Sequence, residues 1–276
     1  MGTAPITIQK LNADEYIDLR TGEVKEFQHS DNRAQSKSTV SQSLRNLRDL
    51  INANLTESEN VKWVTLTYRE NMTDEKRLYE DWRRFWQRFK YYLHKRGLPP
   101  AEYIIAAEPQ ARGAWHLHCL FLFPEKAPYI HNSEIARIWG HGFTKTKSLQ
   151  GITNPGLYLT AYLGDMELTE AMSGGVKNGQ IREVTTTDEQ GRPQKKAVIK
   201  GARLHLYPPG FHLFRCSRGV KRPTIYNTTE AEAQAMVGDA PLTFEKTIEV
   251  TNDAGETISV INYRQYTKGG TPCRQT

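Results

Sequence analysis

Between residues 60 and 170 the apolar positions switch repeatedly between a period of two and a period near 3.6. Residues 61–68 (VKWVTLTY) are β-branched, aromatic and alternating, which predicts a strand. Leu78, Trp82, Phe85, Phe89 and Leu93 then recur at three- and four-residue steps, so a long helix with one apolar face is expected. Thr73 should cap it, Asp74 and Glu75 suit its positive N-terminal end, and Gly97, Pro99 and Pro100 should stop it. Residues 102–108 and 114–123 read as two further strands joined by the turn at 109–113. Ser133 is expected to cap a short helix carrying Ile135, Ile138 and Trp139 and closed by Gly140. Residues 143–149 (FTKTKSL) alternate again, and Asn154 and Pro155 open a helix that runs to about residue 168.

The order β-α-β-β-α-β-α predicts an α+β fold: an antiparallel central sheet of the split βαβ type, helices packed on one face and the other face left for a site. Outside that core the patterns thin out. Residues 1–59 are polar, although Leu44, Leu47, Leu50 and Ile51 keep a helical spacing, and they read as an arm or accessory segment. Residues 171–200, rich in Gly, Thr and charge, read as a loop or linker. Residues 201–276 combine a basic segment with a C-terminal β-hairpin, EKTIEV and ETISVINY around a turn at 252–255. The core is thus expected at residues 60–170.

Composition narrows the class. The chain has 276 residues, 38% hydrophobic and 25% charged, ordinary values for a globular protein. No run of about 18 apolar residues predicts a membrane span, and the N-terminus shows no secretory pattern. Three scattered cysteines, Cys119, Cys216 and Cys273, fit a reducing cytoplasm. The net charge of +6 is unevenly placed: residues 195–222 hold eight Lys or Arg and no acid, and residues 135–162 also lack acids. Such blocks suit a polyanion such as nucleic acid. No Gly-x-x-x-x-Gly-Lys-Ser/Thr loop is present, so no nucleotide cofactor and no helicase motor is expected.

The chemistry concentrates in the stretch 107–119 (AEPQARGAWHLHC). Residues two apart on a strand share a face, so His116 and His118 project together while Trp115, Leu117, Cys119, Phe121 and Phe123 face a core. The hairpin turn can bring Glu108 beside both imidazoles, and two neutral imidazoles with a carboxylate are a divalent-metal ligand set with open positions. A pair of ordinary structural histidines is the competing reading. Downstream, Tyr158 and Tyr162 lie four residues apart on one helix face. A tyrosine hydroxyl can attack a phosphodiester that a metal polarises; ring packing in a core is the commoner fate of helical Tyr.

Taken together these segments resemble the His-hydrophobic-His (HUH) rolling-circle replication initiators of bacterial plasmids and phages. TLTY at 65–68 resembles their first motif, EPQARGAWHLHCLF their metal-binding strand pair, and YLTAYL at 158–163 their tyrosine motif. The resemblance covers roughly residues 60–170. It implies a ferredoxin- or RRM-like HUH fold and an endonuclease and strand transferase for single-stranded DNA at a replication origin. It also implies Mg²⁺ or Mn²⁺ held by His116, His118 and Glu108, and Tyr158 or Tyr162 as nucleophile. A host helicase and polymerase would be its partners. Many relatives carry a Lys three residues after each tyrosine; Ala161 and Asp165 stand there in this chain, which leaves a companion cation to Lys145 or Lys147. Arg112, Lys145, Lys147, Arg215, Arg218, Lys221 and Arg222 are the expected DNA contacts, with Tyr207 and Phe211 as candidate base-stacking rings. Two other readings share parts of this pattern: an HUH relaxase or transposase, and a non-catalytic nucleic-acid-binding module.

Overall fold

The computed structural model describes residues 7–29, 31–55, 57–149, 155–173, 180–187, 193–252 and 255–266. A small antiparallel sheet of β1 (Ile8–Lys10), β2 (Glu15–Asp18) and β3 (Val24–Glu26) precedes helix α1 (Lys37–Asn54). Then follow β4 (Val61–Thr67), α2 (Glu75–Lys95), β5 (Glu102–Pro109), β6 (Trp115–Leu122), α3 (Asn132–Trp139), β7 (Thr144–Lys147) and α4 (Pro155–Gly164). Next come β8 (Met166–Glu167), α5 (Leu168–Ser173), β9 (Ile181–Thr187), β10 (Pro193–Ile199) and β11 (Phe214–Cys216). Helix α6 (Glu230–Val237) and the hairpin of β12 (Leu242–Thr251) and β13 (Thr257–Tyr266) close the described chain. No helix among the described residues is long and apolar enough to cross a membrane.

The central sheet has the order β11-β5-β6-β4-β7, with every neighbouring pair antiparallel. β4 and β5, joined through α2, run in the same direction with β6 between them, so the connection is a split βαβ. One face packs on α2 and α3: Leu78, Trp82, Phe85, Phe89 and Leu93 meet Leu117, Cys119, Phe121, Ile135, Ile138 and Trp139 in a single core. The apolar stripe read in the sequence is therefore the buried one.

The opposite face departs from the expectation of helices on one side only. Leu47, Leu50 and Ile51 of α1 and Leu159 and Leu163 of α4 pack with Val61, Trp63, Ile104, Ala106 and Leu120 in a second core. Residues 37–54 thus belong to the central fold and are not an arm. The physical reason is that half of this sheet face is itself apolar and must be covered. Three further differences are local. Asp74, not Thr73, caps α2, its Oδ1 accepting from the N–H groups of Lys76 (2.8 Å) and Arg77 (3.1 Å). His131, not Ser133, caps α3. Part of the expected linker is structured: β9 pairs with β10, and β10 with β8, in a separate sheet.

Candidate active site

Strand register arranges the second face in rows. Glu108 lies opposite His116, and His116 opposite Thr67. One row inward, Ala106 lies opposite His118, His118 opposite Thr65, and Thr65 opposite Lys145. The third row, Ile104, Leu120, Trp63 and Lys147, is where α1 and α4 settle. Glu108, His116, His118, Thr65 and Thr67 therefore form one corner of a face whose other end, at Ile104, Leu120 and Trp63, is core.

Glu108 and His118 are almost fully buried, 7% and 6% exposed. The Glu108 Oε2 is in direct contact with His118 Nε2. Thr65 Oγ1 lies 3.3 Å from His118 Nδ1, so both ring nitrogens have polar neighbours. Burial alone would raise the Glu108 pKa, but His118 first, then Arg203 and His116, outweigh it and hold the carboxyl at about 2. Burial is also the largest influence on His116; it exceeds the opposing pull of Glu108 and lowers that imidazole to about 4.

Arg203 completes the corner, and the sequence reading missed it. Only 2% exposed, its guanidinium places Nη2 2.9 Å from Glu108 Oε1 and forms a two-pronged pair with Glu170 at 2.9 and 3.0 Å. It also donates to the carbonyls of Pro109 (2.7 Å) and Asp165 (3.2 Å), and its own backbone N–H donates to Gly164 O (3.1 Å). Four residues on, the Tyr207 hydroxyl lies 2.8 Å from Ala107 O and 3.1 Å from Leu163 O. The segment 203–207 thus clamps the C-terminal end of α4 to the C-terminal end of β5. Its sequence signal is a basic residue amid apolar neighbours (ARLHLY), which the surrounding basic block hides.

Helix α4 carries Tyr158 and Tyr162; their side chains lie outside the described residues. Leu159 and Leu163 place the helix on the same sheet face as the histidines, against Ala106 and Leu120. Asp165, three residues after Tyr162, has its carboxylate held by Arg182 and by the Gly201 N–H.

The expected DNA contacts divide into two sets. Lys145 and Lys147 share the histidine face, and Lys147 Nζ stands 5.9 Å from the Trp63 ring centroid. Arg112 is exposed in the β5–β6 turn at the same end as Glu108. Arg215 does not join them: it pairs with Ile105 on the face packed by α2 and stacks on Tyr79, 3.5 Å from the ring centroid. Arg218, Lys221 and Arg222 are exposed at the other end of β5, where Ser217 N–H bonds Tyr103 O and Lys221 is tied to Asn54. Glu102 to Glu108 along an extended strand is about 20 Å, so those cations are remote from the histidines. Tyr207 and Phe211 are buried, the latter stacked on Trp115 at 4.7 Å, and so present no ring to a base.

As a metal site the corner fits in chemistry. A neutral His116 and an ionised Glu108 are the forms that ligate a divalent cation. In the geometry described, Glu108 is engaged by His118 and Arg203, and among the described residues no three His, Cys, Asp or Glu stand together as a ready ligand set. A cation would therefore have to displace the direct Glu108–His118 contact.

No curated protein and no solved structure matches this chain. Residues 61–167, which run from β4 through β8 and contain both the histidine strand and the tyrosine helix, match the family model Replication-associated protein ORF2/G2P.

Proposed function

We propose that this chain initiates rolling-circle replication by nicking and rejoining single-stranded DNA through a covalent phosphotyrosine. The observation that carries the reading is the shared face: His116, His118 and Glu108 occupy one corner, and the helix bearing Tyr158 and Tyr162 packs on that same face and is tied to it through Arg203 and Tyr207. The family match over residues 61–167 and the central strand order agree with it.

His116, His118 and Glu108 would hold Mg²⁺ or Mn²⁺, which when bound supplies Lewis-acid polarisation of a phosphodiester. The rest follows from the chain's own groups. Arg203 keeps Glu108 ionised and oriented, and Thr65 sits beside the second ring nitrogen of His118. A hydroxyl of Tyr158 or Tyr162 attacks phosphorus; the new tyrosyl O–P bond replaces the P–O3′ bond, the phenolic proton is lost and the departing 3′ oxygen takes one up. The 5′ phosphate stays on the protein, and its bond energy is kept for rejoining without a nucleotide cofactor. The 3′ hydroxyl would serve a host polymerase, with unwinding left to a host helicase.

The decisive experiment incubates the protein, Mn²⁺ and labelled single-stranded oligonucleotides spanning the replicon that carries its gene. A denaturation-resistant protein–DNA adduct is expected with the protein attached at a 5′ phosphate. Absence of any adduct across the whole set, with the protein folded, refutes the reading.

A further inference from the structure

Phe143 immediately precedes the edge strand β7. Its carbonyl accepts from the Thr67 N–H (3.0 Å) and from Thr67 Oγ1 (2.8 Å), which pins it opposite Thr67, and Thr67 in turn faces His116. The backbone before it has no slack: a Cβ on Gly142 would lie 2.5 Å from Thr67 O and 2.7 Å from Arg69 N. Thr144 is fully buried on the side packed by α2 and α3, as its strand partner Leu66 is, so alternation puts Phe143, Lys145 and Lys147 on the histidine face.

On this rigid support Phe143 is 65% exposed. A single exposed apolar residue is ordinary on a protein surface. This one differs in its neighbours. It extends the row Glu108, His116, Thr67 to the open sheet edge, about two strand spacings, or roughly 9.6 Å, from the His116 backbone. Lys145 and Lys147 follow on its own strand at steps of about 6.8 Å. The segment 135–162 around it contains no acid. An aromatic face beside a row of cations is how proteins hold single strands: bases stack on rings and phosphates track the positive side.

From this juxtaposition we propose that Phe143 is a stacking platform for a base of single-stranded DNA lying next to the phosphate at the histidine corner, with Lys145 on its backbone side. The inference deepens the function proposed above and rests on that reading for the position of the phosphate. The stacking itself is measured by binding alone.

The test uses the full chain and fluorescein-labelled oligo(dT) in anisotropy titrations without divalent metal, with adduct formation measured in parallel. Phe143→Ala should raise the Kd by roughly 5- to 150-fold, the range for loss of one stacked base. The slope of log Kd against log salt should stay the same, since no phosphate contact is removed, whereas Lys145→Gln should lower it by about 0.7. Phe143→Trp should retain affinity and add tryptophan quenching on DNA addition beyond that of the wild type. The melting temperature of each Phe143 variant should match the wild type because the ring is exposed. Binding of Phe143→Ala within twofold of wild type, together with no added quenching in Phe143→Trp, overturns the proposal. The two readings fail separately. Wild type that binds oligo(dT) and loses affinity in Phe143→Ala yet forms no adduct leaves the platform standing and removes the nicking activity. Wild type that forms adduct while Phe143→Ala binds normally does the reverse, and a wild type that does not bind single strands defeats the platform outright.

Discussion

Replacing Arg203 with Met removes the cation at the centre of the corner while keeping most of the side-chain volume. The loss is large because the guanidinium is 2% exposed and its partners cannot all turn to water. Glu108, 7% exposed, would keep His118 but lose the 2.9 Å pair to Arg203; Glu170, whose side chain is 29% exposed, would lose both prongs but can hydrate. The carbonyls of Pro109 and Asp165 would each lose a donor. Removing one partner of a buried ion pair costs about 3–5 kcal/mol; the retained His118 contact and the hydration of Glu170 point to the lower end, about 3 kcal/mol. At roughly 2–4 °C per kcal/mol the melting temperature should fall by roughly 6–12 °C. A second substitution, Glu170→Gln, in the Arg203→Met background should restore part of the loss, because it removes the repulsion left between two carboxylates.

The pH dependence has a defined sign. The Glu108 carboxyl is held at about 2 in the fold, below its ordinary 4.5, so its contribution to stability is complete above pH 4.5 and is lost as pH falls toward 2. The stability gap between wild type and Arg203→Met should therefore be full at pH 7 and smaller at pH 3. Thermal unfolding followed by circular dichroism at the two pH values measures both quantities. A loss below about 1 kcal/mol at pH 7, or a gap that does not shrink in acid, would refute the ion-pair account.

Three further outcomes are expected. His116→Ala and His118→Ala should each abolish adduct formation with the fold retained by circular dichroism; full nicking in both would remove them from the chemistry. Tyr158→Phe is expected to lose the first covalent link and Tyr162→Phe to keep it, read from adduct yield on denaturing gels, and a double variant that still forms adduct would place the nucleophile elsewhere. Arg215→Gln should leave the salt slope of DNA binding unchanged and lower stability by about 1 kcal/mol through loss of stacking on Tyr79; a reduced slope would return it to the DNA surface.

Local pattern was sufficient for much of this protein. The alternation in VKWVTLT, the apolar stripe from Leu78 to Leu93 and the C-terminal hairpin each announce their element because period and turn chemistry are properties of neighbouring residues. The same short-range logic puts His116 and His118 on one strand face and Glu108 across a hairpin from them, since a register of a few residues is set by the turn itself. What only the tertiary structure decided lies at long separations. Arg203 reaches Pro109 across 94 residues and carries its charge into the corner, while Arg215, in the same basic block, turns to the other face because β11 pairs with β5 in that register. Leu47, Leu50 and Ile51 have a helical spacing that says they are buried but not against what; the apolar half of the histidine face supplies the answer. Charge and periodicity report which residues leave or seek water, whereas the partner that each one finds is fixed by strand order and packing, which no short window of the chain contains.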